Sequence, residues 1–418
     1  MRIGCIDLPH SWLAAVACCL ICLLPAPCFA DAAFQTWLQS LWPDAQKAGI
    51  SRATFDAATR GLEPDLTLPD LVIPGRPEPR QSGQAEFVQT PADYLKESSF
   101  DRLAEQARAL MAKHRATLAA IEQKYGVPGA VVLAIWGRET NFGAVKLPYG
   151  AVRVLATQAW VGKRKEKFRE EFVLALKMLE ERQVALADFR SSWAGAMGQP
   201  QFLPSDFYKY AVDFDGDGRR DIWTSVPDIL ASMANQLAAK GWQAGERWAY
   251  EVRAPANVDC TEANPDVTKP IGEWLRLGFT PAYGRKLTPA ELAERASLLL
   301  AAGTYGPAFL ITTNYFVIKE YNFSDLYVLF VGHLSDRIAD PRPFETPWGK
   351  VTQLQTAQLD RMQRMLTKLG IYGDKIDGKA GMKTRLALGA YQKANGLKVD
   401  CWPTQELLSH MQGKIGAQ

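Results

Sequence analysis

Helical spacing of apolar residues runs through most of this 418-residue chain. Apolar side chains recur every three or four positions from Phe34 to Arg60 and from Tyr94 to Trp136, the pattern of amphipathic helices. A Pro-rich stretch at residues 62–89 separates these two regions and predicts an irregular segment on the surface. Alternation of apolar and polar residues, which marks half-buried strands, is scarce. The chain is therefore predicted to be mainly α.

A second proline-rich stretch divides the chain. Residues 341–351 contain three prolines and are predicted to form a stiff linker. Residues 31–340 are predicted to form one enlarged domain of helices and long loops, and residues 352–412 a compact second domain with its own helical periodicity. A chain of 418 residues exceeds the usual size of a single domain, which agrees with this division.

The first thirty residues have the composition of a secretory signal peptide. An apolar run from Trp12 to Leu24 is followed by Pro25 and ends in a small residue, Ala30, after which we expect cleavage. The run is too short for a comfortable membrane span, and we expect no transmembrane segment in the mature chain. Cys18 follows a loose lipidation box that lacks its large aliphatic residue, so a periplasmic protein is favoured over a lipid-anchored one.

The signal peptide contains five of the seven cysteines, which leaves Cys260 and Cys401 in the mature chain. An oxidising periplasm would permit a bridge between them. They lie in separate predicted domains, however, so we expect two unpaired thiols.

Composition excludes several classes of function. The net charge of +3 is small for the length and comes from charges of both signs, so no nucleic-acid partner is expected. Four histidines and no nucleophile motif around a serine argue against a Ser-His-Asp hydrolase. Glycine patterns of nucleotide-binding proteins are absent from the sequence.

Glu139 ends an otherwise apolar helix. Pro128 marks the predicted start, and Gly143 follows the predicted end. Contact with Trp136 and Phe142 would desolvate the carboxylate and raise its pKa, so that it could donate a proton at neutral pH as a glycoside-cleaving acid does. The alternative is a glutamate near a helix end that pairs with a lysine or arginine.

Residues 191–205 read Ser-Ser-Trp-Ala-Gly-Ala-Met-Gly-Gln-Pro-Gln-Phe-Leu-Pro-Ser, a loop whose small residues allow close approach of a ligand. Together with the Glu139 segment, this loop resembles the lytic murein transglycosylases of the membrane-bound lytic transglycosylase B type. That family has a Gly-x-Glu-Thr-x-x-Gly helix end and an Ala-Gly-Ala-Met-Gly-x-x-Gln-Phe-x-Pro-Ser loop. Pro200 stands where the family commonly has glycine. Further matches at residues 210–214 and 314–322 extend the resemblance over most of residues 93–338.

The resemblance implies a lysozyme-like helical catalytic domain that cuts the MurNAc-GlcNAc β-1,4 bond of peptidoglycan. Glu139 would protonate the glycosidic oxygen and then take the proton of the MurNAc C6 hydroxyl, which attacks C1 and leaves a 1,6-anhydro end. The resemblance also implies substrate-binding roles for Ser192, Gln201, Tyr321, Asn322 and, on a thinner match, Tyr94. Tyr321 could equally be a core aromatic residue.

Two other functions stay open at this point. A muramidase that hydrolyses the same bond would need a second carboxylate about 5 to 9 Å from the first. A non-catalytic peptidoglycan-binding scaffold would have kept the fold and lost turnover, although the intact Glu139 favours the lyase.

An acidic loop at residues 213–224 matches the calcium loop at most of its ligand positions. The expected ligands are Asp213, Asp215, Asp217, Arg219 (through its carbonyl) and Asp221. Thr224 replaces the usual carboxylate at the twelfth position, which should weaken binding. The loop is therefore either a structural calcium site or a solvated acidic turn neutralised by neighbouring arginines, and no cofactor is expected in the chemistry.

The C-terminal segment resembles the three-helix peptidoglycan-binding domain. It shares an Asp-Gly turn at Asp377, a Gly-x-x-Thr helix start at Gly381 and a Tyr-Gln pair at Tyr391. Cys401 replaces a glycine that the family usually has at this turn. The domain would hold the enzyme on its polymer and raise the local concentration of cleavable bonds, whereas the alternative is a generic helical appendage.

Overall fold

The computed structural model describes residues 29–73, 75 and 85–416. Residues 1–28, which hold most of the predicted signal peptide, lie outside the described residues. The α-helices are Phe29–Ser40, Trp42–Lys47, Arg52–Thr59, Ala85–Val88, Pro91–Tyr94, Glu97–Lys113, Arg115–Tyr125, Gly129–Thr140, Ala151–Val161, Lys165–Glu180, Pro204–Tyr210, Val226–Ala239, Ile271–Arg276, Pro289–Ala293, Thr313–Lys319, Asp325–Ala339, Thr356–Lys368, Met382–Ala394 and Gln405–Gly416. Short 3₁₀ turns lie at Cys260–Glu262 and Ala282–Gly284. The mainly α prediction is confirmed.

The helix that carries Glu139, Gly129–Thr140, is the centre of the larger core. It packs between the helices Glu97–Lys113, Val226–Ala239 and Asp325–Ala339, and its residues 131–137 are all buried. A helix buried on every side must be apolar all round, which explains the run of valine, leucine, alanine and isoleucine before Glu139. A second core lies around the helices Ala151–Val161 and Lys165–Glu180 and holds the 191–205 loop through Met197 and Phe202.

The described residues also contain an antiparallel sheet of five strands, which the sequence pattern did not reveal. Its strands, in spatial order, are Lys269–Pro270, Arg295–Thr304, Ala308–Ile311, Ala249–Arg253 and Thr280–Pro281. Residues 296–303 of the long strand are all buried and, apart from Ser297, are apolar or glycine, so the strand shows no alternation. A separate two-stranded ladder pairs Tyr149–Gly150 with Arg190–Ser191.

Three helices, Thr356–Lys368, Met382–Ala394 and Gln405–Gly416, form the C-terminal domain around their own core. Gln363 is fully buried at its centre, where its amide accepts the backbone N–H groups of Asp377 and Gly378 at 2.9 and 2.8 Å. The side chain thereby fixes the Asp-Gly turn that the sequence shares with peptidoglycan-binding domains.

The expectation of two unpaired thiols was wrong, because Cys260 and Cys401 form a disulfide bond across 141 residues. The C-terminal domain lies against the sheet, and the expectation had assumed that the two domains do not touch. Cys401 has a φ of 55°, a left-handed conformation that favours glycine. The usual glycine of this turn is thus replaced by a residue that bonds to the larger domain.

Residues 341–351, predicted to be a linker, lie on the surface of the larger domain. Phe344 is 8% exposed and stacks on the His333 ring at 3.6 Å between centroids. The Glu251 carboxylate accepts the backbone N–H groups of Glu345 and Thr346 at 3.2 and 3.0 Å, and its burial raises its pKa to about 7. The segment therefore positions the C-terminal domain more firmly than a free tether would.

None of the helices in the described part of the chain has by itself the length and apolar composition needed to cross a membrane. The helices Arg115–Tyr125 and Gly129–Thr140 reach that length and apolar composition only when they are taken together, and the chain bends by 108° between them.

Candidate active site

Glu139 lies in the last turn of its helix, at the boundary between core and surface. The helix ends there because Asn141 adopts a left-handed φ of 50° and Gly143 a φ of 82°. Glu139 and its neighbour Arg138 are the only members of the 131–140 stretch that are partly exposed. The chain thus presents one carboxylate at the end of a buried apolar helix.

Burial raises the pKa of the Glu139 carboxyl above its ordinary value. The Tyr327 hydroxyl donates a hydrogen bond to Glu139 Oε1 at 2.5 Å, and this bond acts in the opposite direction, as does the charge of Arg138. The negative charge of Glu86 adds to the increase. Desolvation is the largest of these effects, so the group keeps its proton to a higher pH than a solvated glutamate does.

Two parallel tyrosine rings flank the carboxylate. Tyr327 and Tyr321 stack at 6.4 Å between centroids with an angle of 11° between the rings. The Tyr321 hydroxyl donates to the Pro200 carbonyl at 2.6 Å. Tyr321 therefore connects the ring beside Glu139 to the 191–205 loop, which we call the loop wall.

Gln199 fastens the loop wall to the Glu139 helix. Its side-chain Oε1 accepts a hydrogen bond from Trp136 Nε1 at 2.6 Å, and its Nε2 donates to the Trp223 carbonyl at 2.7 Å. Its own carbonyl accepts the Thr140 hydroxyl at 3.2 Å. A Cβ at Gly143 would lie 2.4 Å from Gln199 Oε1, so only glycine fits there.

Ser192 and Gln201, predicted to bind substrate, both shape the loop wall. Ser192 Oγ accepts the N–H groups of Ala194 and Ala196 at 3.3 and 3.2 Å. Gln201 has a φ of 59°, and its Nε2 donates to the Gly198 carbonyl at 2.9 Å. These bonds give the loop its shape, and both side chains stay partly exposed.

Tyr94 and Asn322 belong to a network with Glu86 and with Arg138, the residue before Glu139. The Tyr94 hydroxyl accepts hydrogen bonds from Arg138 Nε and Nη2 at 3.0 and 2.6 Å. Asn322 Nδ2 donates to Glu86 Oε1 at 3.0 Å, and Glu86 Oε2 lies 4.0 Å from Arg138 Nη2. The structure thus links Asn322, through the buried Glu86 carboxylate, to Arg138, which also bonds to Tyr94 and directly precedes Glu139.

Sequence reasoning missed three of these residues: Tyr327, Glu86 and Gln199. Tyr327 could have been noticed as a hydroxyl-bearing residue in a helix that is otherwise apolar near its start. Glu86 lies at the end of the Pro-rich stretch, where no periodicity marks it. Gln199 occupies a variable position of the loop motif, so the motif gave no reason to select it.

The acidic loop gathers three of its predicted metal ligands. Carboxylate oxygens of Asp213, Asp215 and Asp217 lie within 4.8 Å of one another. The Oδ1 atom of Asp221, the fourth predicted carboxylate ligand, accepts the N–H groups of Trp223 and Thr224, both at 2.9 Å.

Two further contacts shape this loop. The Arg219 N–H donates to Asp217 Oδ1 at 2.8 Å. The carbonyl oxygen of Arg219 is the atom of this residue that could coordinate a cation. Asp228 was not predicted; its fully buried carboxylate accepts the N–H groups of Phe214 and Asp221 at 2.7 and 2.8 Å. The arrangement suits a hard cation held by oxygen atoms.

Comparison with known proteins identifies two sequence families in the chain. Residues 33–336 match the family described as "Transglycosylase SLT domain", and residues 355–411 match the peptidoglycan binding domain family. The chain is 33% identical over 222 residues to membrane-bound lytic murein transglycosylase B of Escherichia coli (strain K12), which is 52% of this chain and 58% of that protein. The chain therefore spans less than two thirds of that relative's length.

Two solved structures are also similar. SltB3 of Pseudomonas aeruginosa, in complex with NAG-anhNAM-pentapeptide, has a TM-score of 0.78 and 37% identity, over 91% of this chain and 99% of that one. Escherichia coli Slt35, in complex with calcium, has a TM-score of 0.56 and 25% identity, over 75% and 94% of the two chains. Since the first family match alone covers most of the sequence, this protein belongs to the transglycosylase SLT family and carries a C-terminal domain of the peptidoglycan-binding family.

Proposed function

We propose that this protein is a peptidoglycan lytic transglycosylase that cleaves the MurNAc-GlcNAc β-1,4 bond and leaves 1,6-anhydro-MurNAc ends. The observation that carries the proposal is a single carboxyl group, Glu139, which is desolvated at a helix end and receives a hydrogen bond from Tyr327. The two Escherichia coli relatives named above are described as lytic transglycosylases, and SltB3 of Pseudomonas aeruginosa is in complex with an anhydro-sugar peptide.

Glu139 acts first as an acid and then as a base. Its raised pKa keeps the proton available for the glycosidic oxygen, which must be protonated before the leaving sugar departs. After that transfer the carboxylate is stabilised by Tyr327 and by the nearby Arg138 charge, and it can accept the proton of the MurNAc C6 hydroxyl. The oxygen of that hydroxyl attacks C1, so no water enters the product.

The environment of Glu86 favours this lyase over a muramidase. A hydrolase uses a second, free carboxylate to activate water or to attack the sugar. The Glu86 charge acts on Glu139, but its two oxygens are directed to Asn322 and Arg138. Glu86 is therefore assigned a role in positioning Arg138, while Ser192, Gln201, Tyr321, Asn322 and Tyr94 line the glycan cleft.

Three further assignments belong to the proposal. The chain is exported, with cleavage after Ala30, and acts in the periplasm on glycan strands. The C-terminal domain holds the polymer near the cleft. Asp213, Asp215 and Asp217, with the Arg219 carbonyl, hold a structural calcium ion that takes no part in the reaction, and Asp221 supports the loop from outside.

Mass spectrometry of soluble products from purified peptidoglycan tests the proposal. The mature protein should release anhydro-muropeptides, and Glu139→Gln should release about 10²–10⁴ times less, the usual contribution of a general acid and base. Glu86→Gln is the matched control and should keep the anhydro product. Muropeptides with reducing ends would indicate a hydrolase, and binding without products would indicate a scaffold.

A further inference from the structure

A cleft of about 100 Å³ lies where the C-terminal domain meets the larger domain. Its lining comes from both domains and includes Glu86, Phe87, Phe323, Gln353, Lys379 and Arg385. Glu86 also belongs to the network beside Glu139, where its Oε1 accepts a hydrogen bond from Asn322 and its Oε2 lies 4.0 Å from Arg138 Nη2. The cleft is thus separated from the proposed catalytic group by only a few side chains.

Three cationic side chains line this cleft, and they differ in their partners. Lys319 and Arg385 both bond to the buried Asp325 carboxylate, which binds the Tyr315 hydroxyl as well. This carboxylate therefore shares its single negative charge between the two cations. The Arg385 pair joins the C-terminal domain to the larger one, and both cations are already engaged with a carboxylate.

Lys379 is the third cation, and it forms no ion pair with any carboxylate in the part of the chain that the structure describes. Its ammonium group lies 3.4 Å from the centroid of the Phe87 ring, a cation–π contact that leaves N–H donors directed away from the ring. Partial burial lowers the pKa of Lys379. The charges of Asp377 and Glu86 act on Lys379 in the opposite direction, but neither carboxylate is within ion-pair distance of it. Its ammonium group can therefore still bind an anion.

Phe323 adds an apolar contact beside this charge. It follows Asn322 directly and is 71% exposed, the most exposed large hydrophobic residue among those described. An exposed aromatic ring that lines the same cleft as an ammonium group outside any ion pair suits a ligand that carries both aliphatic groups and a carboxylate.

We propose that this cleft is a subsite for the stem peptide of the peptidoglycan substrate, with Lys379 binding a peptide carboxylate and Phe323 packing on the peptide chain. The inference rests on the proposed function, because it assumes that the glycan lies along Glu139. It assigns the C-terminal domain a direct part in substrate selection, since Lys379 belongs to that domain and Phe323 to the larger one.

Binding of two soluble disaccharides by titration calorimetry tests this subsite. The probes are NAG-anhNAM with its pentapeptide and NAG-anhNAM without a peptide, neither of which has a bond left for the enzyme to cut. Lys379→Met should weaken binding of the first about tenfold, the loss expected for one hydrogen bond to a charged group, and leave the second unchanged. Lys379→Arg should restore most of the affinity.

Lys368→Met, which removes an exposed lysine of the same domain, is the control and should change neither affinity. Equal affinities of the wild type for the two probes, or equal losses for both in Lys379→Met, would overturn the subsite. The measurement does not depend on turnover. A protein that makes anhydro products but ignores the peptide refutes only this inference, and one that makes none refutes the proposed function.

Discussion

The loop wall and the C-terminal domain are held to the rest of the molecule by different kinds of contact. The loop wall is held mostly by hydrogen bonds between neutral groups, as in the bonds of Gln199 to Trp136 and Trp223 and of Tyr321 to Pro200. The C-terminal domain is held by charges and a disulfide that join residues far apart, with Arg385 and Asp325 separated by 60 positions and Cys260 and Cys401 by 141.

This difference decides what each side can do. Backbone carbonyls and amides have fixed positions, so the bonds of the loop wall can fix the position of the helix end that carries Glu139. Long-range ion pairs cost more to break once buried, so the Arg385–Asp325 pair keeps a whole domain in place. We infer that the first side serves the chemistry and the second the choice of substrate.

Loss of the disulfide should have the largest effect on stability. Cys260→Ser should lower the free energy of unfolding by about 2–5 kcal/mol, because the bond closes a loop of more than a hundred residues. Thermal unfolding under oxidising conditions measures this loss. Tyr321 and Tyr327 lie within the cross-linked stretch, but their bonds to Pro200 and Glu139 do not involve the disulfide. Cleavage of soluble glycan should therefore change little.

Cys401→Gly sharpens the same experiment. It breaks the same bond but relieves the left-handed φ of 55°, which costs a non-glycine residue about 1 kcal/mol. It should therefore be the milder of the two variants. If Cys260→Ser melts like the wild type, the cross-link does not hold the domain in place.

Tyr327→Phe should change the pH dependence of catalysis. The Tyr327 hydroxyl stabilises the ionised form of Glu139, so its loss raises the pKa of that carboxyl further. The alkaline limb of the kcat profile should move to higher pH, and the maximum should fall about 10–100-fold, the value of a hydrogen bond to a charged group.

Tyr321→Phe is the matched control for this variant, because it removes the bond to Pro200 and keeps the stacked ring. Its alkaline limb should stay in place. A limb that moves equally in both variants would mean that the tyrosine pair, and not the bond to Glu139, sets the pKa.

Gln199→Met should loosen the loop wall. The substitution leaves Trp136 Nε1 without its acceptor, which costs about 1–3 kcal/mol for a buried donor. We expect a lower kcat with little change in KM. Trp136→Phe removes the same bond from the other side, so the double variant should lose less than the sum of the two single losses. Strict additivity would contradict a direct coupling.

Calcium should have the smallest effect. Added Ca²⁺ at about ten times its Kd should raise stability by about 1–2 kcal/mol through mass action. Asp217→Asn should abolish the increase, whereas Asp374→Asn, an exposed aspartate of the C-terminal domain, should keep it. A shift that survives in Asp217→Asn would place any bound ion elsewhere.

The sequence predicted the parts of this molecule that depend on local pattern. The buried helix ending at Glu139, the loop wall and the three C-terminal helices each follow from periodicity or from a contiguous motif. The long strand Arg295–Thr304 was missed because burial of both faces removes the alternation on which its recognition depends.

Contacts between distant segments could not be predicted. Nothing in the Pro-rich stretch indicates that Glu86 reaches Asn322 across 236 positions. The disulfide was missed for the same reason, since pairing of Cys260 with Cys401 requires knowing that the two domains touch. Local spacing carries no information on such docking.

Digestion of peptidoglycan in ¹⁸O-labelled water tests the central claim most directly. A lyase with Glu139 as its acid and base closes the C6 oxygen onto C1, so the anhydro ends should contain no ¹⁸O. Reducing ends that carry the label at C1 would show that water is the nucleophile and would contradict the account.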